Sequence, residues 1–276
     1  MSLAGKRVAL LEARMSGELS SMVERMGGRP YSAPAVRETP LEQPEETARF
    51  VDALCDGRFD VVVFMTGVGA TALLREAGKL GRLDAAVGAL RKTLTVCRGP
   101  KPVAVLRRHE IQVNATAAEP HTTTELLQSL DAIGVKGKTV ALVHYGERSE
   151  IAADGLRRDG AVVDELCLYE WRLPDDTAPL ERLVNEIIEG RIDAIAVTSQ
   201  IQIRHLFQIA DRLGKSQALT DALNQKLIVA AVGPVCATAL RARGVVPHVQ
   251  PSHPKMGPML IALADYFELT GQAGKS

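Results

Sequence analysis

The feature that most constrains this chain is that it repeats itself. The apolar run Val8-Ala9-Leu10-Leu11, preceded by Gly5-Lys6-Arg7, has a counterpart 132 residues later in Val140-Ala141-Leu142-Val143, preceded by Gly137-Lys138-Thr139. Each run leads into a helical pattern and then a turn, Gly27-Gly28 in the first and Gly160-Ala161 in the second, 133 residues apart. Gly57-Arg58-Phe59-Asp60-Val61-Val62-Val63-Phe64 returns at the same distance as Gly190-Arg191-Ile192-Asp193-Ala194-Ile195-Ala196-Val197, and Gly99-Pro100 precedes Gly233-Pro234 by 134. Short continuous apolar runs between turn signals indicate strands buried on both faces, and their alternation with helical patterns indicates a parallel sheet covered by helices. The duplication therefore predicts an α/β protein with two similar doubly wound parallel-sheet domains. Two proline-rich passages, Pro30 to Pro44 and Leu166 to Pro179, read as extended crossings between domains, because the residue before a proline is biased away from helix. Repetition leaves open whether each half folds by itself or whether the opening unit of one half joins the closing units of the other.

Composition narrows the function classes. A length of 276 residues is enough for two domains with full cores. Lys+Arg 33 balance Asp+Glu 33, and no long run of one sign is present to track a nucleic-acid backbone, so no nucleic-acid partner is expected. Aromatic residues at 4% offer few platforms for stacking bases. The four cysteines, Cys55, Cys97, Cys167 and Cys236, form no Cys-x-x-Cys pair, so neither a zinc clip nor a redox dithiol is written locally. No window reaches the ~20 apolar residues of a membrane helix, and Met1 to Arg14 carries no uninterrupted apolar core of an export signal. The expectation is a cytoplasmic protein that does not engage a membrane.

In an open α/β sheet, ligands bind beyond the carboxyl ends of the strands, where helix N-termini present unpaired N–H groups. That directs attention to Glu12 to Ser16, Thr66-Gly67-Val68-Gly69-Ala70, Arg98-Gly99-Pro100-Lys101, Tyr145-Gly146-Glu147-Arg148, Thr198-Ser199-Gln200-Ile201 and Gly233-Pro234-Val235-Cys236. The dinucleotide fingerprint starts at Gly67 and Gly69 but fails at Ala72, and no Gly-x-x-x-x-Gly-Lys-Ser/Thr cradle occurs. The histidines at 109, 121, 144, 205, 248 and 253 are scattered without metal-ligand spacing or a Gly-x-Ser-x-Gly partner, so neither metal nor nucleophilic triad is expected. His144, at a strand end, reads as a satisfied structural histidine. Tyr169 and Trp171 lie in the second crossing. The phenol of Tyr169 can donate a proton while staying neutral at pH 7, and the alternative is an aromatic that packs the hinge.

In order along the chain, Val8-Ala9-Leu10-Leu11-Glu12-Ala13-Arg14, Phe64-Met65-Thr66-Gly67-Val68-Gly69, Arg98-Gly99-Pro100-Lys101, Tyr145-Gly146, Leu168-Tyr169, Thr198-Ser199-Gln200-Ile201-Gln202 and Val232-Gly233-Pro234 resemble the uroporphyrinogen-III synthase family from Lys6 to about Phe267. The resemblance implies an enzyme that needs no cofactor or metal. It would close the linear tetrapyrrole hydroxymethylbilane to uroporphyrinogen III, with inversion of the last pyrrole ring and loss of water, in porphyrin and heme biosynthesis. It also implies a monomer in which residues 1–37 and 173–276 form one discontinuous domain and 41–168 the other. Residues 38–40 and 169–172 would be the crossings, with the ligand between the domains. A substrate with eight carboxylates calls for many N–H donors and a few cations rather than a strong nucleophile. Tyr169 matches the family's cleft tyrosine and is the expected catalytic residue. Substrate contacts are expected from Arg14, Thr66, Gly67, Val68, Gly69, Arg98, Gly99, Lys101, Tyr145, Gly146, Glu147, Thr198, Ser199, Gln200, Gly233 and Pro234. The competing reading is a non-enzymatic two-domain binding protein for a small anionic ligand.

Overall fold

A computed structural model describes residues 2–144 and 146–273. The chain runs β1 (Arg7–Leu10), α1 (Ser16–Arg25), β2 (Arg29–Ser32), β3 (Arg37–Pro40), α2 (Pro44–Cys55), β4 (Val61–Phe64), α3 (Gly67–Lys79), α4 (Leu83–Leu90), β5 (Leu94–Cys97), α5 (Pro100–Arg108), β6 (Ala115–Thr116) and α6 (Thr123–Ile133). It continues with β7 (Thr139–Val143), α7 (Glu150–Arg158), β8 (Val162–Leu166), β9 (Tyr169–Arg172), α8 (Ala178–Ile188), β10 (Ala194–Val197), α9 (Gln200–Arg212), α10 (Ser216–Gln225), β11 (Ile228–Ala231), α11 (Pro234–Arg241) and α12 (Met256–Ala273). It divides into two compact units, one of Met1–Arg37 with Arg172–Ser276 and one of Glu38–Trp171.

The first unit holds a parallel sheet in the order β11-β10-β1-β2 and the second a parallel sheet in the order β6-β5-β4-β7-β8, while β3 and β9 make a separate two-stranded sheet. The ladders settle the question that repetition left open. In the first unit Val8 pairs with Ala194, and in the second Val140 pairs with Val61. Since Val140 is the counterpart of Val8 and Ala194 that of Val61, these are the same rung, built from opposite halves of the chain. The next rungs agree: Ala194 with Ile228 matches Val61 with Leu94, and Val8 with Pro30 matches Val140 with Val163. Each sheet thus joins the opening β-α-β unit of one repeat to the closing strands of the other.

A duplicated aspartate fixes that cross-repeat register. Asp60 N–H donates to Thr139 O at 2.9 Å and its Oδ2 accepts from Thr139 N–H at 2.8 Å; Asp193 N–H donates to Arg7 O at 2.9 Å and its Oδ2 accepts from Arg7 N–H at 2.7 Å. Just before each aspartate, Gly57 and Gly190 end α2 and α8 at φ +70° and +73°, a left-handed conformation that favours glycine.

Alternation along the buried strands divides the core of the second unit. Val62 and Phe64 face Phe50, Leu73, Leu90 and Leu106, whereas Val61 and Val63 face Leu126, Leu130, Leu142 and Leu156. In the first unit Val8 and Leu10 pack with Leu19, Val23, Met259, Leu260 and Leu263. The proline-rich passages are shorter as extended chain than the sequence suggests. Pro44 opens α2 and Pro179 lies in the first turn of α8, where a missing N–H costs no helical bond. No helix among the described residues is long and apolar enough to cross a membrane.

Candidate functional site

Three strand-end loops of the second unit converge. Thr66 caps α3, its Oγ1 accepting from Gly69 N–H at 3.1 Å, and Gly67, Val68 and Gly69 form the first turn of that helix. A Cβ at Gly67 would lie 3.1 Å from Lys101 O, and one at Gly69 would lie 2.8 Å from His144 O. These glycines therefore let α3 approach the loops after β5 and β7, and no phosphate cradle is needed to account for them. Gly99 is the buried N-cap of α5 with Pro100 at its first position, Arg98 is half-buried at the end of β5, and Lys101 is exposed. Gly146 has φ +73°, accepts from Trp171 N–H at 3.0 Å, and has no room for a Cβ, which would fall 1.9 Å from Trp171 Nε1. Glu147 is half-buried beside it, and Tyr145 lies outside the described residues.

Tyr169, on β9, meets this cluster. Its hydroxyl is 2.8 Å from Thr66 Oγ1, its ring stands edge-on to Trp171 at 5.4 Å, and it is 3% exposed. Burial pushes the phenol well above its ordinary range, and the Thr66 hydrogen bond and the positive charge of Arg98 offset only part of that. Thr66 Oγ1 is already filled on one side by the Gly69 N–H. Its own proton can therefore go to Tyr169 Oη, leaving the phenolic proton free for another acceptor.

The first unit brings together a different set. Ser199 is the N-cap of α9, with Thr198 before it and Gln200 after it, all half-buried. Gly233 caps α11 with Pro234 at its first position, and a Cβ there would lie 2.9 Å from Pro254 Cβ. Arg14 is exposed in the β1–α1 loop. The sequence motifs include Glu12 and Gln202, but only Arg14, Thr198, Ser199 and Gln200 of these two loops are expected substrate contacts; the structure ties Glu12 and Gln202 to Thr198. Thr198 Oγ1 donates to Glu12 Oε2 at 2.6 Å, and Gln202 Nε2 lies 3.2 Å from the same oxygen and 2.8 Å from Thr198 Oγ1. Gln202 Oε1 accepts from Thr198 N–H at 2.9 Å and Ser199 N–H at 3.3 Å. An acidic residue at a strand's carboxyl end was the available signal.

Other polar groups serve the scaffold. His144 is fully buried; its Nδ1 accepts from Ser149 N–H at 3.0 Å, so Nε2 carries the proton and donates to Glu165 at 2.7 Å. Burial, opposed by Glu165, holds this imidazole below its ordinary value. Cys97 and Cys236 are pushed up to about 12 by burial and stay as thiols.

This architecture, two parallel α/β units that exchange their opening β-α-β segments and carry small, capped loops at their strand ends, has known counterparts. The uroporphyrinogen-III synthase HemD family profile matches residues 17–261. A putative uroporphyrinogen-III synthase from Methanothermobacter thermautotrophicus is 30% identical over 252 residues, covering 90% of this chain and 93% of its own. The uncharacterized protein YjjA of Bacillus subtilis is 32% identical over 266 residues, covering 96% and 97%. A crystal structure of a mutant uroporphyrinogen III synthase from the extremely thermophilic bacterium Thermus thermophilus superimposes with a TM-score of 0.76 at 29% identity, covering 95% of this chain and 99% of that one. The chain belongs to the uroporphyrinogen-III synthase family. That membership favours an enzyme over the binding-protein alternative.

Proposed function

We propose that this protein converts hydroxymethylbilane to uroporphyrinogen III, and that Tyr169 supplies the proton for the departing hydroxyl. Family membership across residues 17–261 is the observation that carries the reaction, and the Thr66–Tyr169 pair supports the assignment of the acid. The chain of donors runs Gly69 N–H to Thr66 Oγ1, Thr66 O–H to Tyr169 Oη, and Tyr169 O–H to the substrate hydroxyl. As the terminal C–O bond breaks, its electron pair leaves with the oxygen, which takes the tyrosine proton and departs as water. The cation left on the hydroxymethyl-bearing ring is attacked by the already substituted α-carbon of the ring at the other end. The bond from that carbon to its old methylene bridge then breaks, the released cationic methylene closes onto the same ring's free α-carbon, and the proton lost as that ring regains aromaticity restores Tyr169. Ionisation of the electron-rich pyrrole is intrinsically easy, so a weak acid suffices and the protein's main task is to select the attacking carbon.

Backbone N–H groups at the starts of α3, α5, α9 and α11, with Arg14, Arg98 and Lys101, are the proposed donors to the substrate's acetate and propionate arms. The reading includes a monomer acting in the cytoplasm with a small-molecule substrate and no nucleic-acid partner. The decisive experiment incubates the protein with freshly prepared hydroxymethylbilane, oxidises the products and separates the type I and type III isomers. Type III in excess over a protein-free control is the expected result, and an unchanged isomer ratio refutes the proposal.

A further inference from the structure

The carboxylate of Glu12 is placed where a polycarboxylate substrate is least expected to tolerate it. It stands at the carboxyl end of β1, beside the end of β10, in the middle of the first unit's sheet. Its Oε2 is fixed by the Thr198 hydroxyl at 2.6 Å and the Gln202 amide at 3.2 Å, and Gln202 is itself pinned by two backbone N–H groups. Both donors to the carboxylate are neutral. Among the described residues no cation comes within ion-pair distance of Glu12, and its second oxygen, Oε1, has no hydrogen-bond partner although Glu12 is only half-buried. Holding an uncompensated carboxylate rigidly costs side-chain freedom and contributes little to the fold, because a surface glutamate would otherwise point into water. The bond also spends the Thr198 proton on Glu12, so this corner of the loop cluster offers an anionic acceptor rather than a donor for a carboxylate arm.

We infer that Glu12 is a catalytic residue whose Oε1 accepts from pyrrole N–H groups of the substrate and faces the positive charge that forms when the terminal hydroxyl leaves. The inference rests on the synthase reading above. Hydroxymethylbilane presents two kinds of polar group: carboxylates, which the helix N-termini and cations suit, and pyrrole N–H groups, which need an acceptor. Loss of hydroxide as water, with its proton supplied by the acid, leaves a ring nitrogen conjugated to a cationic carbon. A preoriented carboxylate stabilises that state more than the neutral substrate, which is what accelerates a step rather than tightening ground-state binding. Thr198 and Gln202 are its positioning residues.

The test compares wild type with Glu12→Gln, whose amide oxygen still accepts from Thr198 and Gln202, by steady-state formation of the type III isomer and by thermal melting. The expected result is a kcat lower by about ten- to a hundred-fold with a smaller change in KM, since the lost N–H contact and the relieved repulsion of the substrate's carboxylates act on binding in opposite directions, and a melting temperature within about 2 °C of wild type. Equal kcat, or activity lost only in proportion to folded protein, overturns the inference while leaving the synthase reading intact. Wild type that forms no excess of type III overturns both. If Glu12→Gln does not fold, Glu12→Asp decides. It keeps the charge but withdraws it by one methylene, so reduced kcat at unchanged melting temperature is expected and full activity refutes the inference.

Discussion

Replacing Tyr169 by phenylalanine removes one oxygen from a position where its structural and chemical contributions can be separated. The ring is 3% exposed and held edge-on by Trp171, so phenylalanine fits the same space without leaving a cavity. The lost contact is the 2.8 Å hydrogen bond to Thr66, and Thr66 Oγ1 keeps Gly69 N–H as a donor. A neutral hydrogen bond of this kind contributes about 0.5–1.5 kcal/mol. For a chain of this size that corresponds to a fall of roughly 1–6 °C in melting temperature. The chemical effect is larger. General-acid assistance is typically worth ~10²–10⁴-fold, and because pyrrole ionisation is intrinsically easy the loss belongs at the lower end, near 10²-fold or about 2.7 kcal/mol. The assay is initial-rate formation of the type III isomer beside a thermal melt. Turnover equal to wild type would refute the reasoning and leave Tyr169 as a packing residue. A rate that falls only as far as the folded fraction would do the same.

Gly146→Ala combines a left-handed φ with a Cβ placed 1.9 Å from Trp171 Nε1, so a loss of about 1–3 kcal/mol or more is expected; an unchanged melting temperature would show that the loop relaxes freely. His144 and Glu165 should make the fold acid-sensitive. Desolvation lowers the imidazole below its ordinary 6.5, whereas for Glu165 burial pushes upward but the bonds to Arg157 and His144 together hold the carboxyl below 4.5. Both folded values are depressed, so the stability is present above the unfolded values and is lost as pH falls, first through the His144 range and then through that of Glu165. Urea unfolding from pH 7 to 4 should show a shallower pH slope for His144→Gln, and an identical slope would remove this pair as the cause. Asp193→Asn should destabilise by about 1–3 kcal/mol, because the new amide nitrogen or a rotated oxygen cannot both meet Arg7 N–H and keep the 2.9 Å ion pair with Lys6; a melt indistinguishable from wild type contradicts that.

Much of the fold was legible because the signals were local and came twice. The runs at Val8, Val61, Val140 and Ala194 are strands at the expected places, and the glycine pairs mark the turns. The pairing of one repeat's opening with the other's ending was not legible. Both arrangements bury the same apolar strands, and the choice between them is made by contacts far apart in sequence, such as Asp60 with Thr139 and Asp193 with Arg7. The strand-end loops could be named in advance because helix N-termini follow buried strands. Which side chains within them meet could not, since the Thr66–Tyr169 and Glu12–Thr198 bonds span 103 and 186 residues.

The duplication also separates what the scaffold requires from what the loops were free to become. Positions that set backbone geometry are the same in both halves: Gly57 with Gly190, Asp60 with Asp193, and the N-cap glycines 99 and 233. At the strand ends the halves diverge in chemistry. His144 of the second unit stands where the first has Glu12, Met65 where it has Thr198, and Gly69 where it has Gln202. Gly69 draws α3 against the His144 carbonyl and Met65 is buried, so the second unit's corner is closed and its polar chemistry shifts to the capping Thr66 and to Tyr169. Gln202 instead fills the equivalent space with an amide that holds Thr198 and Glu12 in place. Neither set follows from strand pairing, in which all three ladders of the first unit's sheet have counterparts in the second. One scaffold thus carries a threonine–tyrosine hydroxyl pair at the strand ends of one unit and a glutamate held by a threonine and a glutamine in the other; a proton donor and an anionic acceptor are the roles proposed for them above.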